Sequence, residues 1–321
     1  MAMKNFRMLW DNHQFDAATL TATTSASGYP ITCLQDQFRS RKWRTTSIAE
    51  QYVTIDFGTA INFNSIAFID HNLSTTGTIR IMASNTPLGY DLLDMNILAY
   101  DPLIGFGEDG FGYFGFGGYL SETDRTWIVP NPIKIFYFEN MIKYGTGLYF
   151  GNNIIYGTSI EPPTQKTITA RYLTIKFKDD NNPDGYIELG RLFICRYANF
   201  NLNFDNIVHG TIDESEIYRS LGGQAWIAKK TLLRRTMELN FDVLEYADKY
   251  WNLKFMVEKM GITESYLIDC FPSIDLASQH HHSILYGRFQ DLPSIEQNSE
   301  MPWIEGLQVS STGITFEEEI T

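Results

Sequence analysis

The chain has 321 residues, 44% hydrophobic, 14% aromatic and 20% charged, with 25 Lys and Arg against 38 Asp and Glu, a formal net charge of −13 at pH 7. This composition suits a globular protein with a real core, at a length that suggests two domains. The acidic balance repels phosphate backbones and anionic lipid, which argues against nucleic acid and membrane surfaces as partners.

The N-terminal segment MAMKNFRMLWDNHQFDAATL lacks the unbroken apolar core of a signal peptide. No stretch approaches the ~20 apolar residues that span a bilayer. Cys33, Cys195 and Cys270 lie far apart with no CxxC spacing. Buried free thiols in a reducing cytoplasm are therefore expected, not a disulfide framework or structural zinc. The abundant Phe and Tyr favour strands and fill sandwich cores, with glycan-stacking platforms as the other use of such rings.

From about Leu20 to Asn85, short alternating segments succeed one another. QYVTIDFG alternates from Tyr52 to Phe57 and should stop at Gly58. INFNSIAFIDHNL sets Ile66, Phe68 and Asp70 on one face, and TIRIMAS sets Ile79 and Ile81 against Arg80 and Met82. Short strands separated by Gly, Asn and Thr turns indicate an all-β sandwich or barrel. Residues 86–165 differ, because glycine alternates with Phe and Tyr in IGFGEDGFGYFGFGGYL (104–120) and YGTGLYFGNNIIYGTS (144–159). Glycine-rich chain resists compact structure, yet so many rings avoid water. Three readings follow: an ordered insertion of β-hairpins, low-complexity disorder, or a glycan-binding loop. ARYLTIKFKDD (170–180), the turn Asn181-Asn182-Pro183-Asp184-Gly185 and YIELGRLFICRY (186–197) then read as a hairpin that closes the sandwich.

Composition changes around Phe200–Thr211, the expected boundary. Beyond it TLLRRTMELNF alternates with Leu233, Met237, Leu239 and Phe241 on one side. Phe241, Leu244, Ala247, Trp251 and Phe255 recur at steps of three and four, which predicts an amphipathic helix over 241–260 that stops at Gly261. SYLIDCF, SILYGRF and ITFEEEI add strands.

The ordered series SGYP (27–30), LQDQFRSRKWRTT (34–46), QYVTIDFG (51–58), IAFIDHNL (66–73), TIRIMASN (78–85) and ARYLTIKF…GYIELGRLFI (170–194) resembles the discoidin family, also called galactose-binding-like domains. The resemblance implies a mainly β fold. Residues 1–200 would be a discoidin-like sandwich of jelly-roll type with an insertion at about 86–165, and residues 201–321 a smaller α+β domain. RSLGGQAWIAKKTLLRRTMELNFDVLEYADKYWNLKF (219–255) resembles a region in structural proteins of tailed bacteriophages. That second resemblance implies a virion structural protein, a tail-tip or baseplate component assembled in the host cytoplasm. It would form homo-oligomers and dock other tail proteins, with contact to a host surface glycan through its insertion as a further implied role. Recognition of a glycan is the alternative function.

No catalytic or cofactor set emerges. Asp70-His71-Asn72 lacks a nucleophile context and reads as a strand end and loop, or as sugar or calcium contacts. Asp179, Asp180, Asn181, Asn182 and Asp184 crowd oxygens into one turn without the D-x-D-x-D-G spacing of a calcium loop. His280-His281-His282 cannot converge on one metal from a single strand, which leaves a surface loop or a site shared between subunits. Glu317-Glu318-Glu319 reads as a solvated end, and Arg234-Arg235 as a doublet for a partner's carboxylates. Candidate glycan or partner contacts are Phe111, Tyr113, Phe114, Tyr119, Asp70, His71 and Asn72. A glycoside hydrolase would need two carboxylates across a cleft, and no pair presents itself.

Overall fold

A computed structural model describes residues 6–74, 76–98, 133–137, 141–144, 147–150, 167–200, 204–219, 225–229, 233–241, 253–270, 283–292, 296–297 and 310–319. The protein is mainly β, built from antiparallel sheets. It divides into two compact units, one holding residues 11–197 and the other residues 1–10, 198–273 and 283–321.

The first unit is a β-sandwich. Its five-stranded sheet runs in the order Thr19–Ala22, Gln51–Phe63, Ile168–Lys178, Thr78–Ser84, Leu93–Leu98. Its three-stranded sheet runs Arg191–Cys195, Ser65–Ile69, Ile133–Tyr137. Alternation delivers Val53, Ile55, Ile79, Ile81, Leu173 and Ile175 from the larger sheet, and Ile66, Phe68, Leu192 and Ile194 from the smaller, into one buried cluster. Phe68 meets Phe177 edge-on, with ring centroids 5.9 Å apart, across the two layers.

Three expectations change here. Ile168–Lys178 and Arg191–Cys195 do not form a hairpin. They belong to opposite sheets, and the turn between them crosses the sandwich. Gln51–Phe63 continues past Gly58, because a bulge opposite Ala170/Tyr172 absorbs the left-handed glycine (φ 75°) and lets pairing resume at Ile61. The segment 86–165 is also not insertion throughout. Leu93–Leu98 pairs with Thr78–Ser84, and Ile133–Tyr137 pairs with Ser65–Ile69. Within it, Met141–Tyr144 and Gly147–Phe150 form a small hairpin.

The second unit is an antiparallel sheet in the order Ala198–Asn199, Arg7–Leu9, Tyr266–Asp269, Ile284–Phe289, Ser310–Glu318, Arg234–Phe241, Asn206–Ile212, with Glu296–Gln297 beside Ser310–Glu318. Residues 7–9, which the sequence reading places with the sandwich, thus pair in this sheet, and Phe6, Met8 and Trp10 join its core. The predicted 241–260 helix is short as described, Phe255–Met260, ending on Gly261 at φ 60°. Phe241 instead completes a strand and is buried there, whereas Phe255 is exposed; Leu244, Ala247 and Trp251 lie outside the described residues. Glu317-Glu318-Glu319 is not a solvated end either. Glu317 pairs with Arg234, Glu318 with Arg235 and Glu319 with Arg288, so Arg234-Arg235 meets carboxylates of its own chain.

Among the described residues no helix is long and apolar enough to cross a membrane.

Candidate site at the loop end of the sandwich

One end of the sandwich is tied together by side chains. Asp70 ends its strand in the left-handed region (φ 57°) and is buried. Its carboxylate accepts two hydrogen bonds from the buried Arg39, from Nε at 2.9 Å and Nη2 at 2.5 Å. His71 is buried as well. Burial turns both side chains inward, away from any solvent-borne ligand.

Asn72 is half-buried and organises the neighbouring turn. Its Nδ2 donates to Asp184 Oδ2 (2.9 Å) and to the Tyr186 carbonyl (3.0 Å), while its Oδ1 accepts from the Glu188 N–H (2.7 Å). Asp179 accepts from the Ser74 N–H (2.6 Å), the Ser74 hydroxyl (2.5 Å) and Asn182 Nδ2 (3.2 Å). Donors surround this carboxylate, so its work is to lock the turn. No cluster of His, Cys, Asp or Glu among the described residues could hold a metal ion.

On this scaffold sits a group of residues that sequence reasoning did not single out. Trp43–Arg44 pairs with Glu188–Leu189 in a short ladder, Arg44 opposite Glu188. Arg44 donates to Glu188 Oε2 from Nε (2.8 Å) and Nη2 (2.5 Å), and Lys42 Nζ lies 3.0 Å from Oε1. The Arg44 guanidinium carbon is 4.1 Å from the ring centroids of both Tyr29 and Tyr186. Burial works against the charge on Arg44, but the Glu188 hydrogen bond and charge outweigh it, and its pKa is raised. The cation is permanent.

Each tyrosine follows a glycine in left-handed backbone, Gly28 at φ 83° and Gly185 at φ 75°. A side chain at either glycine would strain the turn that presents the next residue. The repeated Gly-Tyr pair, in SGYP and DGYIE, is the sequence signal that could have drawn attention to them.

Arg44 and Lys42 keep about a quarter of their side chains open (27% and 25%), Tyr29 and Tyr186 are half-buried, and Asp184 is exposed. Cationic donors, carboxylate acceptors and aromatic rings thus share one partly open surface. The other sequence candidates, Phe111, Tyr113, Phe114 and Tyr119, and the His280-His281-His282 run lie outside the described residues.

No family model matches the chain, and no curated protein matches it. Among solved structures it is similar to a mutant of chitosan-binding module 1 from a chitosanase/glucanase of Paenibacillus sp. IK-5, at 13% identity and TM-score 0.32, covering 61% of this chain and 100% of that one. It is also similar to the family 32 carbohydrate-binding module of C. perfringens NanJ, at 14% identity and TM-score 0.32, covering 60% and 99%. The lectin domain of lectinolysin, solved with Lewis B antigen, is similar at 11% identity and TM-score 0.32, covering 59% and 98%.

Proposed function

We propose that the sandwich is a non-catalytic carbohydrate-binding module that uses the loop end around Arg44. The observation that supports this reading is the Arg44 guanidinium, its central carbon 4.1 Å from the ring centroids of both Tyr29 and Tyr186, bonded to Glu188. A sugar presents hydroxyls that both give and take hydrogen bonds, together with an apolar C–H face. Arg44 and Lys42 supply donors, Glu188 and Asp184 supply acceptors, and the tyrosine rings offer apolar surface. The nearby carboxylates disfavour a simple anion, so a neutral or weakly charged sugar fits best.

Glycan-array binding followed by calorimetry tests this. Saturable binding should be lost in Tyr186→Ala and in Arg44→Ala while the thermal melt shows a folded chain. Absence of binding to any glycan, or binding that survives both changes, would sink the proposal.

The second reading is a component of a larger assembly, of the kind a virion tail requires. The exposed side chains of Tyr218, Trp226 and Ile227 favour it, and mass spectrometry of purified particles would test it. It is compatible with the first, because a tail protein can also carry a sugar-binding module.

A further inference from the structure

Three segments of chain meet edge to edge around Arg44. The middle one holds Trp43, Arg44 and Thr45. On one side the Arg44 carbonyl accepts from the Ala26 N–H (2.7 Å) and the Arg44 N–H donates to the Tyr29 carbonyl (3.4 Å). These bonds dock the turn in which the Tyr29 N–H donates to the Ala26 carbonyl (3.0 Å). On the other side Arg44 stands opposite Glu188 and Trp43 opposite Leu189. Thr45 and Ile187 come next in that register. The Thr45 N–H donates to the Ile187 carbonyl (2.9 Å), and the Ile187 N–H donates to the Thr45 hydroxyl oxygen (2.9 Å), where a longer ladder would use the carbonyl. The same hydroxyl donates to the Ser47 carbonyl (2.7 Å).

Thr45 and Ile187 are both buried. An amide left without an acceptor there costs more than the bond itself is worth, so the hydroxyl fixes where the Ile187 peptide can lie. Ile187 is the residue after Tyr186. From the outer edge Asn72 holds the Tyr186 carbonyl at 3.0 Å. Tyr186 is therefore pinned at its own carbonyl and at the next amide, and its ring centroid lies 4.1 Å from the Arg44 guanidinium carbon. Cation–π attraction needs the charge within about 6 Å of the ring centroid, so a shift of about 2 Å at Tyr186 would uncouple the two.

We propose that Thr45 is the positioning residue of this site: its hydroxyl sets Tyr186 beside Arg44 and orders the surface before a sugar arrives. A surface ordered in advance loses less binding free energy to ordering. The effect on affinity rests on the carbohydrate reading. The effect on the ligand-free chain rests on the hydrogen-bond geometry alone.

The decisive variant is Thr45→Val, which keeps the shape and removes the hydroxyl. The Arg44 Nε–H resonance of the ligand-free chain, shifted by the tyrosine rings, should move toward its position in Tyr186→Ala. Calorimetry with galactose, glucosamine and N-acetylglucosamine should show the dissociation constant of each sugar that the wild type binds raised about ten-fold. Thr45→Ser should restore both readouts. Ser65→Ala is the control: Ser65 is buried, its hydroxyl donates to the Cys195 carbonyl at 2.8 Å, and it starts the strand that ends at Ile69, just before Asp70. This change should lower the thermal melt and leave the Arg44 resonance and the binding as in the wild type. An unmoved Arg44 resonance in Thr45→Val, or equal changes in Thr45→Val and Ser65→Ala, overturns the proposal. If Thr45→Val does not fold, hydrogen exchange at the wild-type Ile187 amide decides: protection close to that of the sandwich strands supports the proposal, and exchange at the rate of a free loop overturns it. A wild type that binds none of the three sugars overturns the gain in affinity, and the Arg44 resonance still decides whether Thr45 positions the ring.

Discussion

Asp70 and Arg39 show how one residue can set the position of a loop. The pair is bidentate and buried, and Asp70 holds the left-handed backbone that turns the chain from its strand toward Asn72. Gly190 packs against it, since a Cβ there would lie 3.1 Å from that of Asp70. Removing one member of a buried ion pair leaves the other charge desolvated, which typically costs about 3–5 kcal/mol. Asp70→Ala should therefore lower the urea midpoint markedly. The double change Asp70→Leu with Arg39→Met should cost less than the single one. An equal or larger loss in the double variant would show that the charges themselves are required.

The same scale explains what a linear reading missed. Asp70, His71 and Asn72 draw attention as an acid-base-amide run, yet two of the three are buried and the third spends its amide on Asp184, Tyr186 and Glu188. Tyr29, Arg44 and Tyr186 converge only because separate loops meet at one end of the sandwich. Nothing in their local sequence says that they touch.

Among elements, the helix Phe255–Met260 is tied to the strand Tyr266–Asp269 through one hydroxyl. Tyr266 Oη donates to the Gly261 carbonyl at 2.8 Å, just past the helix end. Burial, and secondarily the Glu264 charge, push the Tyr266 pKa well above its ordinary value of about 10. The unfolded chain then loses this proton at a pH where the folded chain keeps it. The stability tied to that proton is complete below about pH 10 and declines as pH rises above it. In Tyr266→Phe this alkaline loss should shrink. The variant should also lose about 1 kcal/mol at neutral pH with the hydrogen bond. Melts across the alkaline range decide it: an unchanged alkaline slope in the variant would assign that slope to other groups.

For the whole molecule, the two hydrophobic clusters share no residue. One holds Trp43, Phe63, Phe68 and Phe177, the other Phe6, Phe200, Phe241 and Phe316. Each unit carries its own buried thiol, Cys195 in the sandwich and Cys270 in the other sheet. Burial, reinforced by Asp269, raises the Cys270 pKa, so the thiol should not react in the native state. Cys33, half-buried, should be the first to react. Pulse alkylation in increasing urea, read by peptide mass spectrometry, should give distinct midpoints for Cys195 and Cys270. Coincident midpoints would show a single cooperative transition.

Period-two alternation by itself determined the mainly β character and the positions of several of the longer strands, Gln51–Phe63, Thr78–Ser84, Ile168–Lys178 and Arg234–Phe241 among them. In Thr78–Ser84 and Ile168–Lys178 the faces are written in the order of apolar and polar residues, because a strand's two sides are set by backbone geometry alone. Alternation does not say which strand will be the neighbour. Only tertiary structure sent Ile168–Lys178 and Arg191–Cys195 to opposite sheets and brought residues 7–9 beside Tyr266–Asp269. It also matched Glu317-Glu318-Glu319 with Arg234, Arg235 and Arg288. The physical reason is common to all of these: pairing, burial and charge matching act between residues distant in the chain. A local pattern fixes what a segment is, and only its packed neighbours decide what its polar groups are for.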